Sequence, residues 1–201
     1  MAREDIAAAK AALREAMKVR REGLHDTSGA SAKKAAAAAG AIAARWAATG
    51  GAAGEPVVSI YAAIGAELDP LPLLGELEAL GFQGALPVIG RKGEPLTFRA
   101  YTTGDDLDER TWGIREPKPH RPVVVPDVLI LPLLAFDGEG WRLGYGGGFY
   151  DRTLAGLRAG KQVAAIGLAY AGQRVDAVPH ADYDEPMDGV LTPSGLEQFD
   201  R

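Results

Sequence analysis

The sequence contains no cysteine, only three histidines and no long uninterrupted hydrophobic run. Without cysteine, disulfides, thiolate metal sites and cysteine nucleophiles are all excluded. Because no window approaches about eighteen consecutive apolar residues, no membrane-spanning helix is expected. Residues 1–30 carry charged side chains throughout and lack the apolar core of a secretory signal. We therefore expect a cytoplasmic protein with no membrane partner.

The charge balance is mildly acidic, with 22 Lys and Arg residues against 27 Asp and Glu residues in a chain of 201. The net charge of −5 and the isoelectric point of about 5.3 argue against nonspecific nucleic-acid binding. The length favours a single domain, 1–201, in which an N-terminal helical segment over 1–50 packs on or beside the rest. We expect this domain to act as a monomer.

The spacing of apolar residues predicts helices that alternate with strands. Helical spacing, with Pro at one helix start and Gly at its end, predicts helices over 3–23, 30–48, 70–80 and 149–157. Short apolar runs predict strands over 57–61, 85–89, 128–131, 162–169 and 189–192, with 96–101 as a candidate edge strand. The alternation predicts an α/β fold with a mostly parallel sheet covered on both faces. A ligand is then expected at the carboxyl ends of the strands.

The segment from Arg142 to Asp151 is the most informative part of the sequence. It holds glycines at 144, 146, 147 and 148 between a predicted strand and a predicted helix. A glycine-rich turn at a helix N-terminus lets backbone N–H groups approach and hold a phosphate. The Arg142 guanidinium suits a phosphate oxygen, and the Asp151 carboxylate suits a magnesium ion. The alternative is structural, because glycines also end strands and the helix dipole favours Asp in a first turn.

Charged residues elsewhere can complete such a phosphate site. Lys10 and Arg14 lie four residues apart and so project from one face of the first helix. They either hold the terminal phosphates of a nucleotide or are simply solvated. Glu67 follows a strand and precedes a helix, so it either accepts hydrogen bonds from a substrate or favours the positive N-terminus of that helix.

Two further positions bear on the ligands. The acidic segment 179–188 contains Asp184, which together with Asp151 can hold one magnesium ion, although surface loops are often acidic. Trp112 is a large aromatic residue in a polar stretch, and it either stacks on a flat heterocycle or packs in the core.

Taken together and in this order, these segments resemble 5-formyltetrahydrofolate cyclo-ligase, also called methenyltetrahydrofolate synthetase. The run Arg-Leu-Gly-Tyr-Gly-Gly-Gly-Phe-Tyr-Asp from Arg142 to Asp151 is the most specific part of the likeness. The other matching segments corroborate it by their order and spacing, and they are Lys10-x-x-x-Arg14, Glu67-Leu-Asp-Pro70, Trp112-Gly-Ile-x-Glu116-Pro117, Asp127-x-Leu-Ile-x-Pro132, Phe136-Asp137, Gln173 and Pro179…Asp184…Asp188.

The resemblance implies a three-layer α/β/α fold like that of sugar-phosphate isomerases and CoA transferases. It implies an ATP- and Mg²⁺-dependent reaction that converts 5-formyltetrahydrofolate to 5,10-methenyltetrahydrofolate and releases ADP and phosphate. In such enzymes the formyl oxygen attacks the γ-phosphate, and the other folate nitrogen then closes the ring on the activated carbon.

The resemblance also implies roles for individual residues. Those that would bind ATP are Lys10, Arg14, Arg142, Gly144, Gly146, Gly147, Gly148 and Tyr150, and Arg142 and Tyr150 are the catalytic candidates. Those that would line the folate pocket are Ala62, Glu67, Trp112, Tyr145 and Phe149. The magnesium ligands would be Asp151 and Asp184.

Three features depart from the family pattern. Tyr145 and Gly147 stand where some members have basic residues in the loop, so phosphate neutralisation depends more on the basic residues outside it. Phe149 stands where tyrosine is common, and Tyr183 stands where histidine is frequent. None of these changes removes a group that the mechanism requires.

Two other functions remain open from the residues. The same loop can bind a phosphorylated metabolite in a non-catalytic module, although a sensor needs no metal pair. A sugar-phosphate isomerase or CoA transferase can share the fold, since fold does not determine function. Neither of those enzymes requires a nucleotide clamp on the N-terminal helix.

Overall fold

A mostly parallel β-sheet organises the computed structural model, which describes residues 3–49, 54–109 and 113–199. The helices are α1 (Arg3–Leu24), α2 (Ala30–Ala36), α3 (Ala39–Ala48), α4 (Leu71–Ala79) and α5 (Phe149–Gly160). The strands are β1 (Val57–Ser59), β2 (Gln83–Val88), β3 (Thr97–Ala100), β4 (Leu107–Glu109), β5 (Arg115–Pro117), β6 (Val123–Val124), β7 (Val128–Leu131), β8 (Ala135–Phe136), β9 (Arg142–Leu143), β10 (Ala164–Leu168), β11 (Gly189–Thr192) and β12 (Gly195–Gln198).

Within the described residues, the main sheet has eight strands in the order β12-β11-β10-β7-β1-β2-β3-β6. The five strands from β11 to β2 run parallel. Strand β12 pairs antiparallel with β11 at one side, β3 pairs antiparallel with β2 at the other, and β6 pairs antiparallel with β3. The predicted α/β fold with a mostly parallel sheet is therefore confirmed. The carboxyl ends of the five parallel strands share one edge, where ligands bind in folds of this class.

Alternation of apolar side chains explains why helices cover both faces of this sheet. In β7, Val128 and Ile130 join a core cluster with residues of α2, α3 and α4, whereas Leu129 and Leu131 join a second cluster with Leu154 of α5. Successive strand residues point to opposite faces, so an uninterrupted apolar run such as β7 is buried on both. The result is a layer of helices on each side of the sheet.

The N-terminal helix α1 packs beside a small hairpin rather than on the main sheet. Strands β8 and β9 pair antiparallel directly after β7, and Met17 of α1 is buried in a third cluster with Leu134, Ala135, Leu143 and Val178. This contact brings the basic face of α1 close to the segment that follows β9. Within the described residues, no helix is long and apolar enough to cross a membrane.

The structure differs from the predicted elements in several places. The helix predicted over 30–48 is two helices, because the chain turns at Ala37–Ala38, and an alanine run carries no residue that would mark such a turn. Strand β3 is not an edge strand, since it pairs with both β2 and β6. The short strands β4, β5, β6, β8, β9 and β12 are too short to show an apolar period, and the sequence did not predict them.

Substitution of two glycines by alanine should change the stability of the protein in opposite directions. A β-carbon at Gly84 in β2 would clash with the carbonyl oxygen of Tyr101, whereas one at Gly156 on the exposed side of α5 would meet no described atom within 4 Å. We predict that Gly84→Ala lowers the free energy of unfolding by about 1–3 kcal/mol, because the backbone must shift. Gly156→Ala should raise it by about 0.5–1 kcal/mol through helix propensity. Urea unfolding measures both, and changes of the same sign would contradict the packing.

Candidate active site

The glycine loop connects β9 to α5 and takes up a backbone conformation that favours glycine. Gly146 has a φ of 98°, and Gly148, which caps the N-terminus of α5, has a φ of 65°. Both values lie in the left-handed region, where a β-carbon is strained. No side chain caps α5, so its first backbone N–H groups are available to an anion. The sequence predicted that the loop follows strand β7, but the β8–β9 hairpin, which was not predicted, lies between them.

Helix α1 lies across this loop and contacts it through Arg14. The Arg14 Nε donates a hydrogen bond to the carbonyl oxygen of Gly144 at 2.9 Å. A β-carbon built at Gly146 would lie 3.3 Å from the Arg14 guanidinium carbon, so the guanidinium packs directly over the loop. One turn earlier on α1, the Lys10 Nζ lies 2.5 Å from the Asp184 Oδ2. The structure therefore brings these residues of the first helix, the loop and the acidic segment together.

A second ion pair joins the two ends of the loop. The Arg142 Nη2 lies 2.7 Å from the Asp151 Oδ1, and the Arg142 side chain is 5% exposed. The backbone N–H of Glu185 also donates to the Asp151 Oδ1, at 3.2 Å, and Arg142 donates to the carbonyl oxygen of Glu185. Burial lowers the pKa of Arg142, and Asp151 and Asp184 oppose that shift.

The carboxylates of Asp151 and Asp184 are the candidate metal ligands. The backbone N–H of Glu185, the residue after Asp184, donates to the Asp151 carboxylate and so joins the two segments. In the described part of the chain, no group of three or more His, Asp or Glu side chains is arranged to hold a metal. Two carboxylates fit Mg²⁺, because this ion commonly takes one or two protein carboxylates and completes its octahedron with waters and phosphate oxygens. Each carboxylate faces a cation: Asp184 faces Lys10, and Asp151 faces Arg142.

Glu67 lies in a buried network on the other side of the loop. It is 6% exposed and accepts a hydrogen bond from the backbone N–H of Ile64 at 2.9 Å. The Arg21 Nη1 lies 3.5 Å from the Glu67 Oε1, and the Arg21 Nη2 donates to the hydroxyl of Tyr145 in the glycine loop. Burial raises the pKa of Glu67, and the Ile64 N–H and the Arg21 charge oppose the shift.

The sequence did not single out Arg21. Arg21 lies on the same face of α1 as Lys10, Arg14 and Met17, because these four residues follow one another at spacings of four, three and four. That spacing was visible in the sequence and marks one helix face. Its buried partners were not visible, because Glu67 and Tyr145 are distant in the chain.

Tyr150 and Phe149 occupy the first turn of α5, and both pack against the core cluster on the α5 side of the sheet. Burial, and after it the negative charge of Glu67, raise the pKa of the Tyr150 hydroxyl, so this hydroxyl is protonated at neutral pH and can donate a hydrogen bond. Phe149 packs against the core on the α5 side of the sheet and lies below the Arg152 guanidinium, 5.5 Å from the ring centroid.

Two cavities adjoin these residues. One, of about 660 Å³, opens beyond the carboxyl end of β1 and is lined by Tyr61, Ala62, Ala63, Ile64, Asp69, Leu71, Leu86, Tyr101, residues 103–107 and residues 113–115. The other, of about 570 Å³, is lined by Ile6 of α1 and by residues 177–183, next to the Lys10–Asp184 pair. Ala62 thus faces the first cavity. Trp112 lies outside the described residues, and its predicted role stays a prediction.

Comparisons with known proteins identify the family of this chain. The profile of the 5-formyltetrahydrofolate cyclo-ligase family matches residues 6–193. The chain belongs to the 5-formyltetrahydrofolate cyclo-ligase family. It is 39% identical over 147 residues to the 5-formyltetrahydrofolate cyclo-ligase of Escherichia coli K12, with 71% of this chain and 80% of that relative covered. It is 34% identical over 143 residues to the Haemophilus influenzae cyclo-ligase, with 67% and 74% covered.

A solved structure supports the fold of this cyclo-ligase family member independently. The 5,10-methenyltetrahydrofolate synthetase of Aquifex aeolicus superimposes with a TM-score of 0.71 at 24% identity, and the match covers 96% of this chain and 93% of that one. The roles of the individual site residues stay predictions.

The Lys10–Asp184 pair provides a stability test of the site. Asp184→Asn keeps an acceptor for the Ala181 N–H, which donates to Asp184 at 2.6 Å, but removes the charge that faces Lys10, which is 8% exposed. We predict that it lowers the free energy of unfolding by about 3 kcal/mol, the usual loss when a buried cation loses its partner. The neighbouring exposed Asp182 is the matched control, and Asp182→Asn should change stability by less than about 0.5 kcal/mol. Equal losses in thermal unfolding would contradict the pairing.

Proposed function

We propose that this chain converts 5-formyltetrahydrofolate to 5,10-methenyltetrahydrofolate with hydrolysis of ATP to ADP and phosphate, and that it requires Mg²⁺. One observation carries the proposal: two partly buried cation–carboxylate pairs, Lys10–Asp184 and Arg142–Asp151, converge on an uncapped helix N-terminus behind a left-handed glycine loop. Membership of the cyclo-ligase family supplies the reaction class. A monomeric state and a cytoplasmic location stay predictions.

The nucleotide end of the proposed site is built from α1 and the glycine loop. The N–H groups of Gly146, Gly147 and Gly148 would donate hydrogen bonds to the terminal phosphates, and the positive end of α5 would attract their charge. Lys10, Arg14 and Arg142 would neutralise the triphosphate charge. The cavity beside the Lys10–Asp184 pair, which Ile6 and residues 177–183 line, is where we place the nucleoside.

In the proposal, Mg²⁺ binds at the nucleotide end of the site. Asp151 and Asp184 would hold the ion, which would neutralise charge on the transferred phosphoryl group and align it. Lys10 and Arg142 are hydrogen-bonded to these same carboxylates. The two cations are thereby held at the place where the phosphate oxygens would arrive.

The chemistry needs positioning more than covalent participation by the protein. An amide-like formyl oxygen is a poor leaving group, so its attack on the γ-phosphate makes an imidoyl phosphate and releases ADP. The second folate nitrogen then attacks the activated carbon, the ring closes and inorganic phosphate leaves. Arg142 would stabilise the charge that develops on the phosphoryl oxygens. Protonated Tyr150 would donate a hydrogen bond beside the formyl group or the nucleotide.

The folate end lies beyond the carboxyl end of β1. The cavity lined by Ala62, Tyr101 and residues 113–115 has a volume suited to a small heterocyclic ligand. Glu67 would accept hydrogen bonds from the N–H donors of the pterin ring. Tyr145 of the loop and Trp112 would complete the pocket. Phe149 packs against the core cluster on the α5 side of the sheet and is not among the residues that line this cavity, so its assignment to the folate pocket stays a prediction.

The reaction itself is the first test. Wild-type protein mixed with 5-formyltetrahydrofolate, ATP and Mg²⁺ should develop the near-ultraviolet absorbance of the methenyl product, and omission of either ATP or Mg²⁺ should abolish it. ADP should form in a one-to-one ratio with product. Folded protein that binds ATP without forming the methenyl chromophore would contradict the proposal and favour a non-catalytic binding module.

The role of α1 in nucleotide binding has a separate test. We predict that Arg14→Gln raises the KM for ATP about tenfold or more, because one charge-assisted phosphate contact is lost. Lys18 on the same helix pairs with Glu15 at the surface, so Lys18→Gln is the matched control and should leave this KM within about twofold. Steady-state kinetics at saturating folate measure both constants. Similar KM values in the two variants would remove Arg14 from the nucleotide site.

A further inference from the structure

We infer that Arg21 is a positioning residue for the folate end of the site, which it serves by holding Glu67 and the Tyr145 hydroxyl in place. The inference rests on the proposed function, because it concerns the same reaction. It gives α1 a second task beside nucleotide binding, and it names a residue that sequence reasoning did not single out.

The contacts of Arg21 join four segments of the chain. From α1, its Nη1 reaches the Glu67 carboxylate at 3.5 Å and the Leu133 carbonyl oxygen at 3.4 Å, and its Nη2 donates to the hydroxyl of Tyr145. The guanidinium also lies 5.4 Å from the centroid of the Tyr145 ring. A planar, forked cation is needed to reach all of these groups at once, and lysine offers no such fork.

The burial of the Arg21 guanidinium indicates that its contacts are a specific part of the structure. Arg21 is 6% exposed, and its Nε is fully buried without a hydrogen-bond partner among the described residues. An unpaired buried donor is unfavourable. The chain therefore retains a charged group where an apolar side chain would pack more simply, and its partners are two groups that we assign to the folate pocket. A role in placing those groups accounts for its presence.

Position along α1 separates this role from nucleotide binding. Lys10 and Arg14 contact Asp184 and Gly144, at the phosphate end, whereas Arg21 lies about two turns further along and contacts neither. Tyr145 is the next residue after Gly144 in the loop. One face of α1 would thus position the groups at the phosphate end through Arg14 and those at the folate end through Arg21, and both arginines contact the same glycine loop.

The charge of Arg21 also contributes to the pKa of Glu67. The groups that face Glu67 are Arg21, the hydroxyls of Tyr61, Tyr145 and Tyr150, and the Ile64 N–H. Burial raises the pKa of Glu67 and the Arg21 charge opposes it, so removal of Arg21 raises that pKa further. A higher pKa extends the pH range over which Glu67 is protonated, and the protonated carboxyl is a weaker hydrogen-bond acceptor. Folate affinity in such a variant should recover as the pH rises through the new pKa.

The test compares Arg21→Met with Arg20→Met, its exposed neighbour on α1. Dissociation constants for 5-formyltetrahydrofolate are measured without nucleotide, and KM values for folate and ATP are measured from pH 6 to pH 9. We expect Arg21→Met to weaken folate binding about tenfold, with the KM for ATP changed less than about twofold. Its folate affinity should rise with pH, and this rise should vanish in the Arg21→Met/Glu67→Gln double variant. Arg20→Met should match wild type.

The outcomes separate the inference from the proposed function. An active wild type with an unchanged folate constant in Arg21→Met, or with folate and ATP constants raised equally, overturns the inference alone. A wild type that neither binds nor converts folate overturns both. If Arg21→Met fails to fold, Arg21→Lys takes its place: it keeps the charge, so folate binding should weaken without the new pH dependence, and wild-type folate binding in that variant overturns the inference.

Discussion

The docking of one basic helix face across a glycine loop is the interaction on which the rest of the site depends. Lys10, Arg14 and Arg21 lie along α1 and reach the acidic segment, the loop backbone and the buried Glu67 in turn. None of these contacts exists within the α/β body alone. Met17 on the same face fixes the helix by apolar burial, so the polar contacts are held in register by the hydrophobic effect.

Charge balance explains how so many ionic groups are buried together. Lys10 faces Asp184 and Arg142 faces Asp151, so each buried charge has an opposite partner and little net charge is removed from water. On the proposed function, MgATP brings charges of both signs to the same place. Asp184 and Asp151 would then face the metal instead of Lys10 and Arg142, and these two cations would face phosphate oxygens instead of the carboxylates. The protein groups would be close to their working positions beforehand, which lowers the cost of ordering them.

Much of the fold and of the site could be predicted from the sequence, and the features that could not be predicted were missed for physical reasons. The uninterrupted run of β7 and the glycine–helix junction at Gly148 are local signals, so both were predicted correctly. The turn at Ala37–Ala38 is hidden because alanine favours helix on both sides of it. The role of Arg21 depends on Glu67, a partner 46 positions away, and helix periodicity shows which face a residue occupies but not what it meets.

The most direct test is a crystal structure with Mg²⁺ and a non-hydrolysable ATP analogue. The account predicts that the terminal phosphates contact the N–H groups of Gly146–Gly148, that Arg14 and Lys10 contact phosphate oxygens, and that Asp151 and Asp184 coordinate the metal. A triphosphate bound away from the glycine loop, with Lys10 still paired to Asp184, would contradict it.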